Sequence, residues 1–308
     1  MYKIGVDLGG THIGVGLVKD NKILSTYYTD TPKDRDFVKT VKAMADAINT
    51  LLEKNSVKLS QCDGIGIGSP GVAEEKTGNI VYSANFGWHD APLRSELQRY
   101  IDLPVAMAND ADAAGWAEYL LGAGRGSQSC ITITLGTGIG GGMVINGKLF
   151  SGGMSGGGEL GHVTLVADGR ECGCGKKGCA EAYASATAMV KMASEQLAQH
   201  PESILNKVEQ LNAKAVVDAS RQGDELASKV FADYVNYLAH LIASIINLIA
   251  PQVIALGGGV AGAGEYLLEP LNKRVDRLIL NKKLPRARIV CATMGSDAGI
   301  LGAALLEL

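Results

Sequence analysis

Three cysteines crowd one short stretch, GRECGCGKKGC, where Cys172, Cys174 and Cys179 form a C-x-C-x4-C array. His162 lies ten residues upstream of Cys172, in ELGH. Three thiolates and an imidazole make a full tetrahedral set for Zn2+, and intervening glycines let one loop wrap the ion. With four protein ligands no coordination position stays open, so the expected role is structural. Cys62, Cys130 and Cys291 sit in apolar strand patterns and read as ordinary buried thiols. Glu159 precedes His162 by three residues and Glu181 follows Cys179 by two. A metal that pins this loop also fixes both carboxylates. Such a pair suits a polyhydroxylated ligand, because each carboxylate accepts hydrogen bonds from neighbouring hydroxyls.

A second kind of chemistry lies in two glycine-rich turns. In DLGGT, Gly9 and Gly10 expose successive main-chain N–H groups with no Cβ in the way, and Thr11 adds a hydroxyl; His12 follows. Asp7 is itself anionic, so its natural use beside phosphates is to hold Mg2+, directly or through water. The segment from Gly136 to Gly140 repeats the amide and hydroxyl chemistry through Thr137, Gly138 and Gly140, without a carboxylate. Either turn alone also reads as a plain hairpin. The two together, facing one another, would grip a polyphosphate from both sides. Both lead into strands rather than helices, which argues against a dinucleotide fingerprint, and no G-x-x-x-x-G-K-[ST] is present.

These residues need elements to hold them. Apolar runs predict strands over 3–8, 13–19 and 23–29, with Asp20-Asn21 as a hairpin turn, then a helix over 37–52. CDGIGIGSPG and 104–108 read as buried strands. Asn109-Asp110 open a helix that runs to about Leu121; on the residues alone this pair reads as an N-cap. After the polar connector GAGRGSQS (122–128), a candidate hinge, the pattern restarts with strands over 131–135, 141–145 and 148–150 around an Asn146-Gly147 turn. The remainder is mostly helical, with late strands over 253–256 and 288–291 and a final helix over 296–308. Two similar α/β halves are implied. The expected domains are 1–121 plus 296–308, a small N-terminal domain with a returning C-terminal helix, and 122–295, a larger domain with the zinc loop.

Composition excludes several classes. The formal net charge of −3 and the lack of long Lys/Arg runs argue against nucleic-acid or anionic-membrane surfaces. The sequence enters a strand pattern at once, with no basic and apolar leader, so a cytoplasmic protein is expected. The apolar stretch 230–251 carries Asp233, Asn236, His240, Ser244 and Asn247 as one narrow polar stripe, which suits a core or self-association helix better than a bilayer span. A homodimer or a tetramer is expected from it. The 40 glycines, roughly 13% against a usual ~7%, imply close backbone approach, assigned here to ligands.

Taken in order, D-x-G-G-T, the N-D helix opening, G-T-G-I-G-G-G, E-x-G-H and C-x-C-G-x-x-G-C-x-E resemble the ROK family of sugar kinases and repressors across essentially the whole chain. The resemblance implies a duplicated actin-like ATPase (ribonuclease H-like) α/β fold, with two domains around a cleft. It implies that Asn85, Asn109, Glu159, His162 and Glu181 contact sugar hydroxyls and that Asp110 is the general base. The stretch GNIVYSANFGWHDAPL is most like the bacterial glucokinase branch. ATP with Mg2+ would then be the phosphoryl donor, glucose the leading acceptor, and Gly257 and Gly258, between a strand and a helix, would leave room for the adenosine. N-acetylmannosamine, N-acetylglucosamine, fructose and allose are the alternative acceptors, and a non-catalytic sugar-sensing regulator is the alternative class. Position 12 is often lysine in this family and is His12 here.

Overall fold

A computed structural model describes every residue except Met154 and Leu308. The tip of the glycine-rich 151–158 loop and the end of the last predicted helix therefore lie outside the described residues.

β1 (Tyr2–Leu8), β2 (His12–Lys19) and β3 (Lys22–Asp30) form an antiparallel meander. Asp20 and Asn21 both have positive φ, 51° and 60°, the two-residue turn whose twist matches that of its strands. The chain continues through α1 (Phe37–Lys54), β4 (Cys62–Ser69), β5 (Val72–Glu74), β6 (Asn79–Ser83), β7 (Trp88–Ala91), α2 (Leu93–Gln98), β8 (Val105–Asn109) and α3 (Asp110–Leu120). The main sheet runs β3-β2-β1-β4-β8, with β4 parallel to both β1 and β8. Ile4, Val6 and Leu8 from β1 and Ile13, Val15 and Leu17 from β2 are fully buried at alternate positions. Val41, Met44, Ile48 and Leu51 recur at helical spacing on α1 and close over the same core.

The pattern then repeats. β9 (Cys130–Leu135), β10 (Ile139–Ile145) and β11 (Lys148–Leu149) are followed by α4 (Glu181–Ala184), α5 (Ala186–Leu197), α6 (Ala213–Arg221), α7 (Glu225–Ile249), β12 (Val253–Gly257), α8 (Glu265–Leu278), β13 (Arg288–Cys291) and α9 (Ala298–Ala304). The second sheet runs β11-β10-β9-β12-β13, the order of the first once the separate β5-β6-β7 sheet is passed over. Asn146 and Gly147, at φ 53° and 76°, rebuild the hairpin turn at the equivalent place. This repeat of order, turn and parallel additions is the duplicated actin-like ATPase fold. Two compact units result, one of Met1–Gln128, Gly142–Gly158 and Met294–Leu308, the other of Ser129–Gly141 and Glu159–Thr293.

The small antiparallel sheet β5-β6-β7 escapes the sequence reading, because its strands are short and expose residues such as Val81 and Tyr82. The last helix is shorter than its pattern: Gly295, at φ 62°, opens a tight turn over Gly295–Asp297 before α9 begins. α9 lies directly on β1, β4 and α3. A Cβ on Gly66 would stand 1.7 Å from the Ala303 carbonyl oxygen, and one on Gly302 1.7 Å from that of Ala113. Part of the glycine excess therefore serves helix-on-sheet packing inside the protein, not ligand approach. α7 is long and apolar enough to cross a membrane by length and composition, but half of its most apolar window is buried within the protein. It packs on α5, α6 and α8, as a core helix does.

Candidate active site

In the first unit, the Asp7–Thr11 segment turns tightly because the Gly9 N–H donates to the His12 carbonyl at 2.9 Å. Thr31 zips the next strand to it, its N–H donating to the Thr11 carbonyl (2.9 Å) and its hydroxyl to that of Gly9 (2.7 Å). Among the described residues the Gly10 and Thr11 amides have no protein acceptor, so they are available to a ligand. His12 is exposed and turned to Asp30, with Nδ1 3.0 Å from the carboxylate.

Asp7, at the end of β1, and Asp110, at the start of α3, are neighbouring carboxylates. Burial, and then the charge of Asp110, push the Asp7 pKa from 3.8 up to about 6. Burial also raises that of Asp110, against the pull of the Ala111 N–H, which donates to it at 2.9 Å. Two carboxylates held out of water side by side are a ready site for a divalent cation. Asn109 is the N-cap of α3: its Oδ1 accepts from Ala111 (2.8 Å) and its Nδ2 donates to the Gly71 carbonyl (3.0 Å). The cap reading and the proximity to Asp110 thus hold together, since the cap is what fixes Asp110 at the first helical position. Asn85 is exposed in the turn between β6 and β7, and its carbonyl accepts from Arg35 Nη1.

In the second unit, the turn from β9 to β10 has most of its amides engaged. Gly136 donates to the Gly138 carbonyl (3.1 Å), Ile139 to Glu181 Oε2 (3.0 Å) and Gly140 to Thr134 Oγ1 (3.1 Å). Gly140 thus belongs to the strand; among the described residues the Thr137 and Gly138 amides remain without a protein acceptor. A Cβ on Gly138 would lie 2.2 Å from Glu181 Oε2, so only glycine fits while that carboxylate is in place.

Glu181 also faces the cysteine loop, where Cys172 Sγ is 3.6 Å from its Oε1. His162 Nδ1 is 3.7 Å from Cys172 Sγ, Cys174 and Cys179 Sγ are 3.7 Å apart, and all four donor atoms lie within 4.8 Å of one another. Metal–sulfur bonds of ~2.3 Å at tetrahedral angles put sulfurs ~3.8 Å apart, so the donor set fits Zn2+. Burial pushes the Cys172 thiol up to about 12, a pull that a coordinated cation would reverse. The loop is braced without the metal too: the Cys172 N–H donates to the Lys176 carbonyl (2.9 Å) and that of Gly178 to Arg170 (2.8 Å). Glu159 is exposed at the head of a single helical turn that ends at His162, whose N–H donates to the Glu159 carbonyl at 3.0 Å.

Beyond Thr137 opens a cavity of about 570 Å3, lined among others by Gly136, Asn212, Lys214, Arg221 and Gly259. Gly259, with open space at its Cβ position, faces the cavity, whereas Gly258 is glycine because a Cβ would meet the Leu135 carbonyl at 2.5 Å. Gly257 ends β12 and makes only ordinary contacts. Asn212, Lys214 and Arg221 went unnoticed in the sequence, since a helix start and two surface cations carry no motif.

The whole chain is similar to proteins of known name. The chain is 38% identical to a glucokinase of Halalkalibacterium halodurans, over 98% of this chain and 93% of that one. It is 39% identical to a glucokinase of Thermotoga maritima, over 98% and 95%. The crystal structure of a glucokinase from Streptomyces griseus in complex with glucose and AMPPNP superposes with a TM-score of 0.83 at 35% identity, covering 99% of this chain and 98% of that one. Residues 3–308 match the ROK family, and the chain belongs to it.

Proposed function

We infer that the protein is an ATP-dependent hexose kinase that phosphorylates glucose at its 6-hydroxyl. The observation that carries this reading is the buried pair Asp7 and Asp110 beside a turn with free amides, in a chain whose relatives are glucokinases over nearly full length. Asp110 is the general base. A sugar hydroxyl ionises far above neutrality, so a carboxylate that accepts its proton as the new O–P bond forms lowers the barrier. The bond from the γ-phosphorus to the bridging oxygen breaks, ADP leaves, and the proton resides on Asp110. Burial suits this carboxylate to the task, because it raises its basicity.

The sugar hydroxyls are met by Asn85, Asn109, Glu159, His162 and Glu181. The amides of Gly10, Thr11, Thr137 and Gly138, with the hydroxyls of Thr11 and Thr137, hold phosphate oxygens. Gly9 shapes the first turn, and the adenosine occupies the cavity lined by Gly136, Asn212 and Gly259. Mg2+, when bound by Asp7, neutralises charge on the phosphates. Zn2+ held by His162, Cys172, Cys174 and Cys179 is structural; with Nδ1 toward the thiols, His162 keeps Nε2 for a hydroxyl. The protein works in the cytoplasm as a homodimer or tetramer.

The test is an ADP-release assay with glucose, N-acetylmannosamine, N-acetylglucosamine, fructose and allose, on the wild type and on Asp110→Asn. Turnover highest on glucose, reduced about 10^2- to 10^4-fold in the variant while glucose still binds, is the expected result. Binding without turnover on every sugar would instead identify a sensor.

A further inference from the structure

Arg35 has an unusual setting for a surface residue. Its backbone is left-handed, at φ 54°, in a residue with a full side chain and no turn-forming preference. Three hydrogen bonds hold it there. Its N–H donates to the Pro32 carbonyl (2.8 Å), its carbonyl accepts from Trp88 Nε1 (2.9 Å), and its Nη1 donates to the Asn85 carbonyl. Its Nη2 lies 4.0 Å from the point where a Cβ on Gly10 would stand. Trp88 is itself fixed by Phe37 and Phe86, with ring centroids 5.2 and 4.4 Å away. The guanidinium is thereby suspended between the glycine turn and the Asn85 loop.

Its charge is unspent. Asp34, next in sequence, is taken by Lys39 at 2.5 Å, and Asp36 caps α1 by accepting from the Lys39 N–H at 2.9 Å. Among the described residues no carboxylate pairs with Arg35, and His12, the other cationic candidate at the turn, is committed to Asp30. A planar cation with several free donors, fixed by a strained backbone over a turn with free amides, is built to meet an anion there.

We propose that Arg35 contacts the transferring phosphoryl group, resting on the reading of the Asp7–Thr11 turn as a phosphate site. It neither gains nor loses a proton. Its donors neutralise charge on the equatorial oxygens as the phosphoryl group passes from ADP to the sugar, while its Nη1 keeps the Asn85 loop in register.

The experiment compares wild type, Arg35→Gln and Arg35→Ala. Glutamine retains a donor for the Asn85 carbonyl and lacks the charge. The expected result for R35Q is a kcat reduced about 10^2- to 10^3-fold, a raised KM for ATP and a glucose Kd, read from tryptophan fluorescence, within threefold of wild type. Millimolar guanidinium is expected to restore at least tenfold activity to R35A. A kcat of R35Q within threefold of wild type overturns the proposal. So does a loss confined to glucose affinity, which would reduce Arg35 to a brace for Asn85. Failure of the kinase reading itself would appear separately, as a wild type with no turnover on any sugar. Calorimetry with Mg-AMPPNP then judges the arginine alone: at least fivefold weaker binding by R35Q supports it, and unchanged binding overturns it.

Discussion

Replacing Gly138 by alanine tests the link between the cysteine loop and the phosphate turn. The new Cβ would stand 2.2 Å from Glu181 Oε2 and 3.1 Å from its Cδ. Ordinary contact needs more than an ångström of extra separation. The carboxylate is the far end of a flexible side chain and will yield, so the cost is set by what it must release. It releases the Ile139 N–H, now 3.0 Å away. A hydrogen bond to a charged group contributes about 1.5–3 kcal/mol, and a factor of ten in rate corresponds to ~1.4 kcal/mol. G138A should therefore lower kcat/KM for ATP about 10- to 150-fold at saturating glucose, read from initial rates with ATP varied. In a chain that already carries Glu181→Ala the obstacle is gone, and the added penalty of G138A should fall to within about twofold. An equal penalty in both backgrounds, or none in the wild type, would refute the argument.

Other consequences are as direct. The folded pKa of Asp7, about 6, lies above its ordinary 3.8, so this group favours the folded state most below pH 4 and loses that contribution as pH rises to about 6. Urea unfolding of the ligand-free protein between pH 4.5 and 7 should show that decline, and Asp7→Asn should flatten it. Millimolar Mg2+ should oppose it near pH 7 and lose effect below pH 6, where protons compete for the carboxylate. The purified protein should carry about one zinc per chain by metal analysis. Cys172→Ser should lose the metal and lower the thermal midpoint by at least about 5 °C, whereas Cys62→Ser keeps it.

The parts of the site built from adjacent residues were legible in the sequence. C-x-C-x4-C closes its own loop, so spacing alone placed three thiols together. DLGGT and the Asp20-Asn21 turn are likewise local, and their geometry follows from which residues tolerate positive φ. The contact of Arg35 with Asn85, fifty positions away, depends on a small sheet whose strands were too short and too exposed to announce themselves. The cavity beside Thr137 draws on the start of α6, which carries a cap signal and nothing that names a ligand. The glycine excess pointed to ligands; only the packing of α9 shows that Gly66 and Gly302 are each fixed by a carbonyl at its back.

The place of α9 bears on how the chain matures. A Cβ on Gly299 would lie 2.8 Å from Asp7 Oδ2, so the wall that buries the carboxylate of β1 comes from nearly three hundred residues downstream. On the ribosome the opening sheet emerges with that side bare, and the residues that cover it follow only after the strands of both sheets have been made. The carboxylate chemistry of Asp7 comes into being only after the chain has doubled back on its own beginning. A nascent chain stalled or clipped before Ala298 could fold its strands yet would hold an open, wetted Asp7, and such fragments would be silent toward ATP.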